Sequence, residues 1–367
     1  MTNIIFCLLQ ITKGSNGFMR NFKKVLMLSA VSLLTFGVVT PVATVNAASV
    51  KTATTGYQST KVKASYSYAK KMLVKNKSGL SGKTTALFSR KAYPATGAAA
   101  GYSDFLLGLK GLGYHFTKTQ RQRVAKNLVL NKKSTPADLA NAIMGLKAIG
   151  YNPQSFRLAG TKQKVNLVSA LYKKSMTKQT VNVQSQALIA VSMSSKFKRP
   201  STAKFSKTSL SNLIVKNQQS NNGWAYNNTV AAVDSDTTAM AVVSLARGKA
   251  GSSTVQSALQ KGQSYLKGAV YDNGAYGYTY NGKNMPNANS TAEAIIAFST
   301  KRNTLKYANS AFKDGQTASP LRAMLGYVNK TGSIKGAASQ TLGVGQVNLA
   351  SAAYRQAQKK HSVYSLN

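Results

Sequence analysis

Reactive side chains are scarce in this sequence. Its 367 residues hold one cysteine, two histidines and seven carboxylates. The lone Cys7 excludes a disulfide framework and a thiolate metal cluster. His115 and His361 stand far apart without ligand spacing, so no zinc site is expected. Asp234 and Asp236 are too few for a Ca²⁺ site, which usually recruits more carboxylates. For paired-carboxylate glycoside chemistry only Asp234/Asp236 and, more remotely, Asp272 or Glu293 are available. There is no G-x-S-x-G elbow and no Ser/His/Asp set. The run 77–84 (KSGLSGKT) imitates the end of a phosphate-binding P-loop, but its first glycine and its preceding strand are missing. No cofactor is expected. Strand signals are sparse.

Positive charge is what the chain has in plenty: 49 Lys+Arg against seven acids, a formal +42. Lysine dominates, which favours diffuse point-charge attraction over bidentate reading of phosphates or bases. Residues 19–24 (MRNFKK) form a basic start, 25–39 an apolar core too short to span a bilayer, and 45–47 (VNA) a small-residue cleavage site. This is the pattern of a secretory signal peptide cut after Ala47. Residues 1–18 fit badly ahead of it. ITKGS (11–15) can be encoded by a purine-rich stretch like a ribosome-binding site, so translation is expected to start at Met19. No later apolar run is long enough for a membrane span, and no C-terminal anchor motif is evident. The expected partners of an exported basic chain are anionic, teichoic-acid-like wall polymers rather than nucleic acid. A solvated surface adapted to an acidic habitat is the other reading of the charge.

Beyond a Thr/Ser/Lys-rich linker at 48–60 the chain repeats itself. GLKGLGY (108–114) recurs as GLKAIGY (145–151), each an apolar helix end closed by Gly113 or Gly150. TVNVQSQALIAVS (180–192), DSDTTAMAVVSLA (234–246) and NANSTAEAIIAFS (287–299) superimpose, with LGVGQVNLASAAY (342–354) as a weaker copy. These segments are apolar nearly all round, as buried helices are. Amphipathic Lys-bearing stretches alternate with them at 61–75, 119–129, 165–174, 207–216, 253–267 and 319–328. Such alternation is a helical-hairpin repeat. The pattern predicts an all-α fold: an α/α toroid of about six hairpins over 61–358, with apolar inner helices, basic amphipathic outer ones and a tail at 359–367.

The loops carry a resemblance. QSNNGWAY (219–226) precedes DSDTTAMA, and DNGAYGY (272–278) precedes NANSTAEA. A Gly-aromatic turn followed by [DN]-x-[DN]-[ST]-T-A resembles the repeat of the terpenoid cyclase/protein prenyltransferase α/α-toroid superfamily. It is most similar to exported Gram-positive surface proteins with such repeats. The motif is clear over about 217–300 and diffuse elsewhere. Cyclases of the superfamily that protonate their substrate use D-x-D-D, with the middle Asp as acid. Here Asp234-Ser235-Asp236-Thr237 keeps the middle position as Asp236 and replaces the last Asp by Thr. The zinc of the prenyltransferases has no Cys ligand available.

Two roles compete for Asp236. An alkene-protonating acid must be desolvated and held protonated. However, the sister repeats place Asn182 and Asn289 opposite Asp236, and Asn287 opposite Asp234. Asn cannot act as an acid, whereas Asn and Asp both cap helix N-termini, which favours capping for both aspartates. Trp224, Tyr226, Tyr271, Tyr276, Tyr278 and Tyr280 crowd two loops. They are either sugar- or protein-binding platforms, with Trp224, Tyr226, Tyr276 and Tyr278 as the candidates, or plugs between hairpins. The expectation is therefore a non-catalytic, exported, wall-associated protein that uses its Lys-rich surface and the loop end of its toroid, with a carbohydrate or protein ligand there. The alternatives are a terpenoid-cyclase-like enzyme with Asp236 as general acid, or a carbohydrate-active α/α-barrel enzyme.

Overall fold

The computed structural model describes residues 49–75, 103–128, 130–131, 133–158, 162–248 and 251–365. The chain divides into Met1–Ala47 and Ala48–Asn367. All of the first unit lies outside the described residues, and with it the expected upstream extension, the signal peptide and Cys7. The P-loop imitation at 77–84 lies outside them too. Among the described residues no helix is long and apolar enough to cross a membrane.

The second unit is built from thirteen described α-helices. In chain order they are α1 (Thr55–Lys75), α2 (Ser103–Gly111), α3 (Lys118–Asn127), α4 (Pro136–Ala148), α5 (Leu167–Tyr172), α6 (Val181–Val191) and α7 (Lys207–Lys216). There follow α8 (Ser235–Gly248), α9 (Ser253–Gly268), α10 (Ala288–Phe298), α11 (Arg302–Leu305), α12 (Pro320–Gly326) and α13 (Gln340–Gln358). Polar caps start them. Thr117, Thr135 and Ser206 form capping boxes on α3, α4 and α7. Asn287, Ser252 and Ser319 accept from first-turn amides of α10, α9 and α12.

Six helices close an inner ring in the order α2, α4, α6, α8, α10, α13, and α13 packs back on α2. Their apolar side chains are almost all buried, including Leu106, Ile143, Leu188, Val242, Ile295 and Leu349. Neighbours approach closely where side chains are small: a Cβ at Gly108 of α2 would meet the Leu349 amide of α13 at 2.7 Å. The more polar helices lie outside, with α7 against α6 and α8, and α9 against α8 and α10. The outer ring is completed by α1, which packs on α13, α12 and α2. The fold is the α/α toroid, with a closed ring because buried helices need partners on both sides.

One boundary differs from the sequence expectation. Helix α1 begins at Thr55, within the expected linker, because Lys51 already bridges Ala318 and anchors the segment. The tail follows the end of α13 at Gln358 and packs back on the unit, with Val363 and Tyr364 buried. Among the described residues the sparse strands form three antiparallel pairs. They are β1 (Phe156–Arg157) with β2 (Lys164–Val165), β3 (Trp224–Ala225) with β4 (Val233–Asp234), and β5 (Tyr276–Tyr280) with β6 (Lys283–Asn287). The β3/β4 and β5/β6 pairs run directly into α8 and α10, and so set where those helices start.

Candidate active site

The Gly-aromatic turns fold identically in two successive repeats. The Trp224 amide donates to Thr238 Oγ1 (2.9 Å), and the Tyr276 amide to Thr291 Oγ1 (3.0 Å). Each ring then reaches back ten residues to the outer helix. Trp224 Nε1 donates to the Ile214 carbonyl (2.7 Å) and Tyr276 Oη to that of Leu266 (2.8 Å). Both side chains are fully buried, so Trp224 and Tyr276 plug the hairpins and are closed to a ligand. Tyr226 and Tyr278 stay exposed, at 60% and 55%, and Tyr280 stands beside Tyr278 on β5.

The aspartate pair divides its labour. Asp234 is the helix cap: its Oδ1 accepts from the Thr237 amide (2.6 Å) and its Oδ2 from the Thr237 hydroxyl (2.8 Å). The amides of Asp236 and Tyr226 also donate to it. Burial raises its pKa against the pull of those donors. Asn287 occupies the same place in the next repeat, accepting from the Ser290 amide (2.8 Å). Asp236 does something else. Among the described residues its carboxylate meets no backbone amide; it accepts from the hydroxyls of Ser290 on α10 (3.2 Å) and Ser235 (3.4 Å). Its sister residues behave likewise, reaching sideways to the neighbouring inner helix. Asn289 donates to Gln346 of α13, and Asn182 Nδ2 approaches Met240 Sδ of α8 at 3.4 Å. The capping role expected of Asp236 is therefore corrected: two residues, about half a helical turn, separate a cap facing the loop from a side chain facing the next helix of the ring.

Two further acids share this level of the ring. Asp104 lies in the first turn of α2 and Glu293 in the second turn of α10. Gln346 Nε2 donates to Glu293 (2.9 Å) and Gln346 also donates to Asp104. Asp104, Asp236 and Glu293 remain only half-buried by surface, although protein surrounds them. Desolvation dominates their acidity. It pushes Asp236 up to about 6, with Asp234 nearby adding to the rise. It raises Asp104 and raises Glu293 well above the usual range, with Asp104 and Asp236 as like charges nearby. Three of the seven acids thus gather on one ring wall of a +42 chain. Glu293, a remote candidate for paired-carboxylate chemistry in the sequence reading, bonds across to α13. Asp104, Gln346 and Tyr364 had no role in that reading. The available signal was register, since Glu293 replaces Met240 of the preceding repeat.

The far end of the same ring is occupied by the tail. Arg247, in the last turn of α8, donates to the Ser365 hydroxyl (2.6 Å) and the Ser192 carbonyl (3.0 Å). Beside it Tyr364 is buried, and Asp104 and Glu293 lie near enough to raise its hydroxyl further, so it stays neutral. Above the loop end, Asp234, Tyr265, Tyr271 and Tyr278 line a cleft of about 410 Å³. Among the described residues no group of three His, Cys, Asp or Glu side chains could hold a metal ion.

No protein-family model matches the chain, and no curated protein matches it. Solved structures do. The apo type II terpene cyclase MstE from Scytonema is 9% identical, with 81% of this chain and 98% of that chain covered and a TM-score of 0.46. A variant of MstE in complex with the substrate geranylgeranyl dihydroxybenzoate is 11% identical, over 82% and 99%, with a TM-score of 0.48. The ent-copalyl diphosphate synthase from Streptomyces platensis is 12% identical, over 70% and 50%, with a TM-score of 0.40. The α/α toroid formed by the closed order of inner helices is similar in shape to these cyclases. The expectation of a non-catalytic protein is corrected here: it set Asp236 aside as a helix cap, and that residue meets the Ser290 and Ser235 hydroxyls instead, while the solved structures similar in shape carry the names of cyclases and a synthase.

Proposed function

We propose that the protein is a terpenoid-cyclase-type enzyme in which Asp236 protonates an alkene of an isoprenoid chain. One observation carries the reading. Of the three equivalent ring-facing positions, Asn182, Asp236 and Asn289, only Asp236 holds a carboxyl group, and burial holds its pKa near 6. The fold needs no carboxylate there, because both sister repeats manage with an amide.

The chemistry follows from that placement. The Asp236 O–H bond breaks as a C–H bond forms on the less substituted alkene carbon, which leaves a tertiary carbocation. A neighbouring π bond attacks the cation and closes a ring, and the last cation is discharged by loss of a proton. Hydroxyl donors Ser290 and Ser235 hold the carboxylate left behind. Desolvation, with the like charge of Asp234 on Asp236 and those of Asp104 and Asp236 on Glu293, keeps protons in this cluster where exposed carboxylates have lost theirs. The leader-like stretch 19–47 supports an enzyme that works outside the cell.

The test is direct. Purified protein is incubated with geranylgeranyl compounds between pH 5 and 7, and the products are separated by mass spectrometry. Cyclised hydrocarbon skeletons with the wild type, and none with Asp236→Asn, are expected. Conversion that survives in Asp236→Asn, or a wild type inert to every polyprenyl compound offered, would sink the reading.

A further inference from the structure

The paired repeats GLKGLGY and GLKAIGY play no part in the acid cluster, yet they meet in one place. They end α2 and α4, whereas Asp104 and Asp236 lie in the first turns of their helices. Each repeat closes on a left-handed glycine, Gly113 (φ 96°) and Gly150 (φ 86°). The amides of Tyr114 and Tyr151 then bond back to the carbonyls of Leu109 and Leu146, both at 2.9 Å. The two turns bring Lys110 and Lys147, with Tyr114 and Tyr151, to the wall of one cleft of about 460 Å³. Arg121 of α3 joins them, and no carboxylate lines the cleft.

These cations lack counter-charges. Lys110, Arg121 and Lys147 are all half-buried. Among the described residues the ion pair present is Lys313 with Asp272, at 3.9 Å and on another part of the ring. Arg121 Nε is buried without a hydrogen-bond partner. Its guanidinium lies over the Gly150 turn, where a Cβ would stand 3.6 Å from Nη1. Partly dehydrated cations without an anion are held at a cost that a bound anion relieves. A compact dianion suits two lysine point charges and one guanidinium fork. The tyrosine rings offer flat apolar surface for whatever the anion is attached to.

We propose that this cleft binds a small phosphate ester, its phosphate between Lys110, Arg121 and Lys147 and its organic part against Tyr114 and Tyr151. The volume suits a ligand of metabolite size. The inference is independent of the cyclase reading, because binding here is measured without turnover.

Phenyl phosphate is titrated into the full chain by calorimetry at physiological salt. One saturable site per chain is expected, with inorganic phosphate binding more weakly. Lys147→Gln and Arg121→Gln should each weaken binding about tenfold or more. Lys261→Gln, an exposed cation on α9, should leave it unchanged. Lys110→Gln, from the other repeat, replaces either cleft variant that melts early. No saturable heat, several equivalents bound per chain, or the same loss in Lys261→Gln overturns the site, since each means attraction to charge in general.

Discussion

The repeat that opens α8 and the repeat that opens α10 are built alike and charged differently. Trp224 and Tyr276 plug the same gap, Thr238 and Thr291 accept from the same amide, and Asp234 and Asn287 cap the same helix end. At the next inward-facing position the pair diverges: Asp236 stands where Asn289 does. An acceptor is required at the cap, and either an amide or a carboxylate supplies it. A half-buried carboxylate beside two others is not required by the fold and works against it. The difference between the repeats therefore separates what holds the ring together from what the ring is for.

Exchanging residues between the two repeats breaks that comparison most sharply. Asp236→Asn, which copies the sister position, should lower cyclisation by about 10³-fold or more. Asp234→Asn copies Asn287 at the cap and should cost little activity, moving only the pH profile as a neighbouring charge disappears. Equal losses in both variants, measured as product formed per minute, would show that the pair acts as one structural unit.

The shared plug gives the next largest effect. Trp224→Ala removes a fully buried ring from the α7–α9 junction and should cost about 4 kcal/mol in urea unfolding. Tyr276→Phe leaves its ring in place and strips only the bond to Leu266, for about 1 kcal/mol.

A third prediction concerns stability and pH. The Asp236 pKa is raised, so the native state keeps this proton from about pH 4 to about pH 6 while the unfolded chain releases it. Its contribution to stability therefore falls as pH rises through that window and stays lost above it. Asp236→Asn should be as stable as the wild type near pH 4 and more stable by about 3 kcal/mol at pH 8. A variant that is inactive and yet melts later would confirm that the carboxylate is kept at the expense of the fold. The smallest effect is on rate. Activity should fall as pH rises above about 6, close to tenfold per unit, as the acid form is depleted.

Much of the architecture is legible in the residues themselves. Segments such as AMAVVSLA and AEAIIAFS are apolar on every side, and only a ring with neighbours left and right can bury them. The alternation with α7 and α9, whose apolar residues lie on one face, marks the outer layer. The site was much less legible. Asp234 and Asp236 are two residues apart and both align with asparagine, so sequence periodicity treats them as one feature. Asp104 and Glu293 are far apart along the chain, with nothing in the sequence to link them; closure of α13 onto α2 and α10 brings them together through Gln346. Tyr276 and Tyr278 stand two residues apart on one strand, and only the course of β5, which leaves the core after Tyr276, buries the first and exposes the second.

Composition and periodicity alone determined that this chain is helical, repeated and closed, because each follows from where apolar residues recur along one dimension. Which of its few acids would lose their water, and so keep their protons, was decided only when six helix starts met around one axis. Acidity depends on distance and burial in three dimensions, and neither is a property of the order of residues.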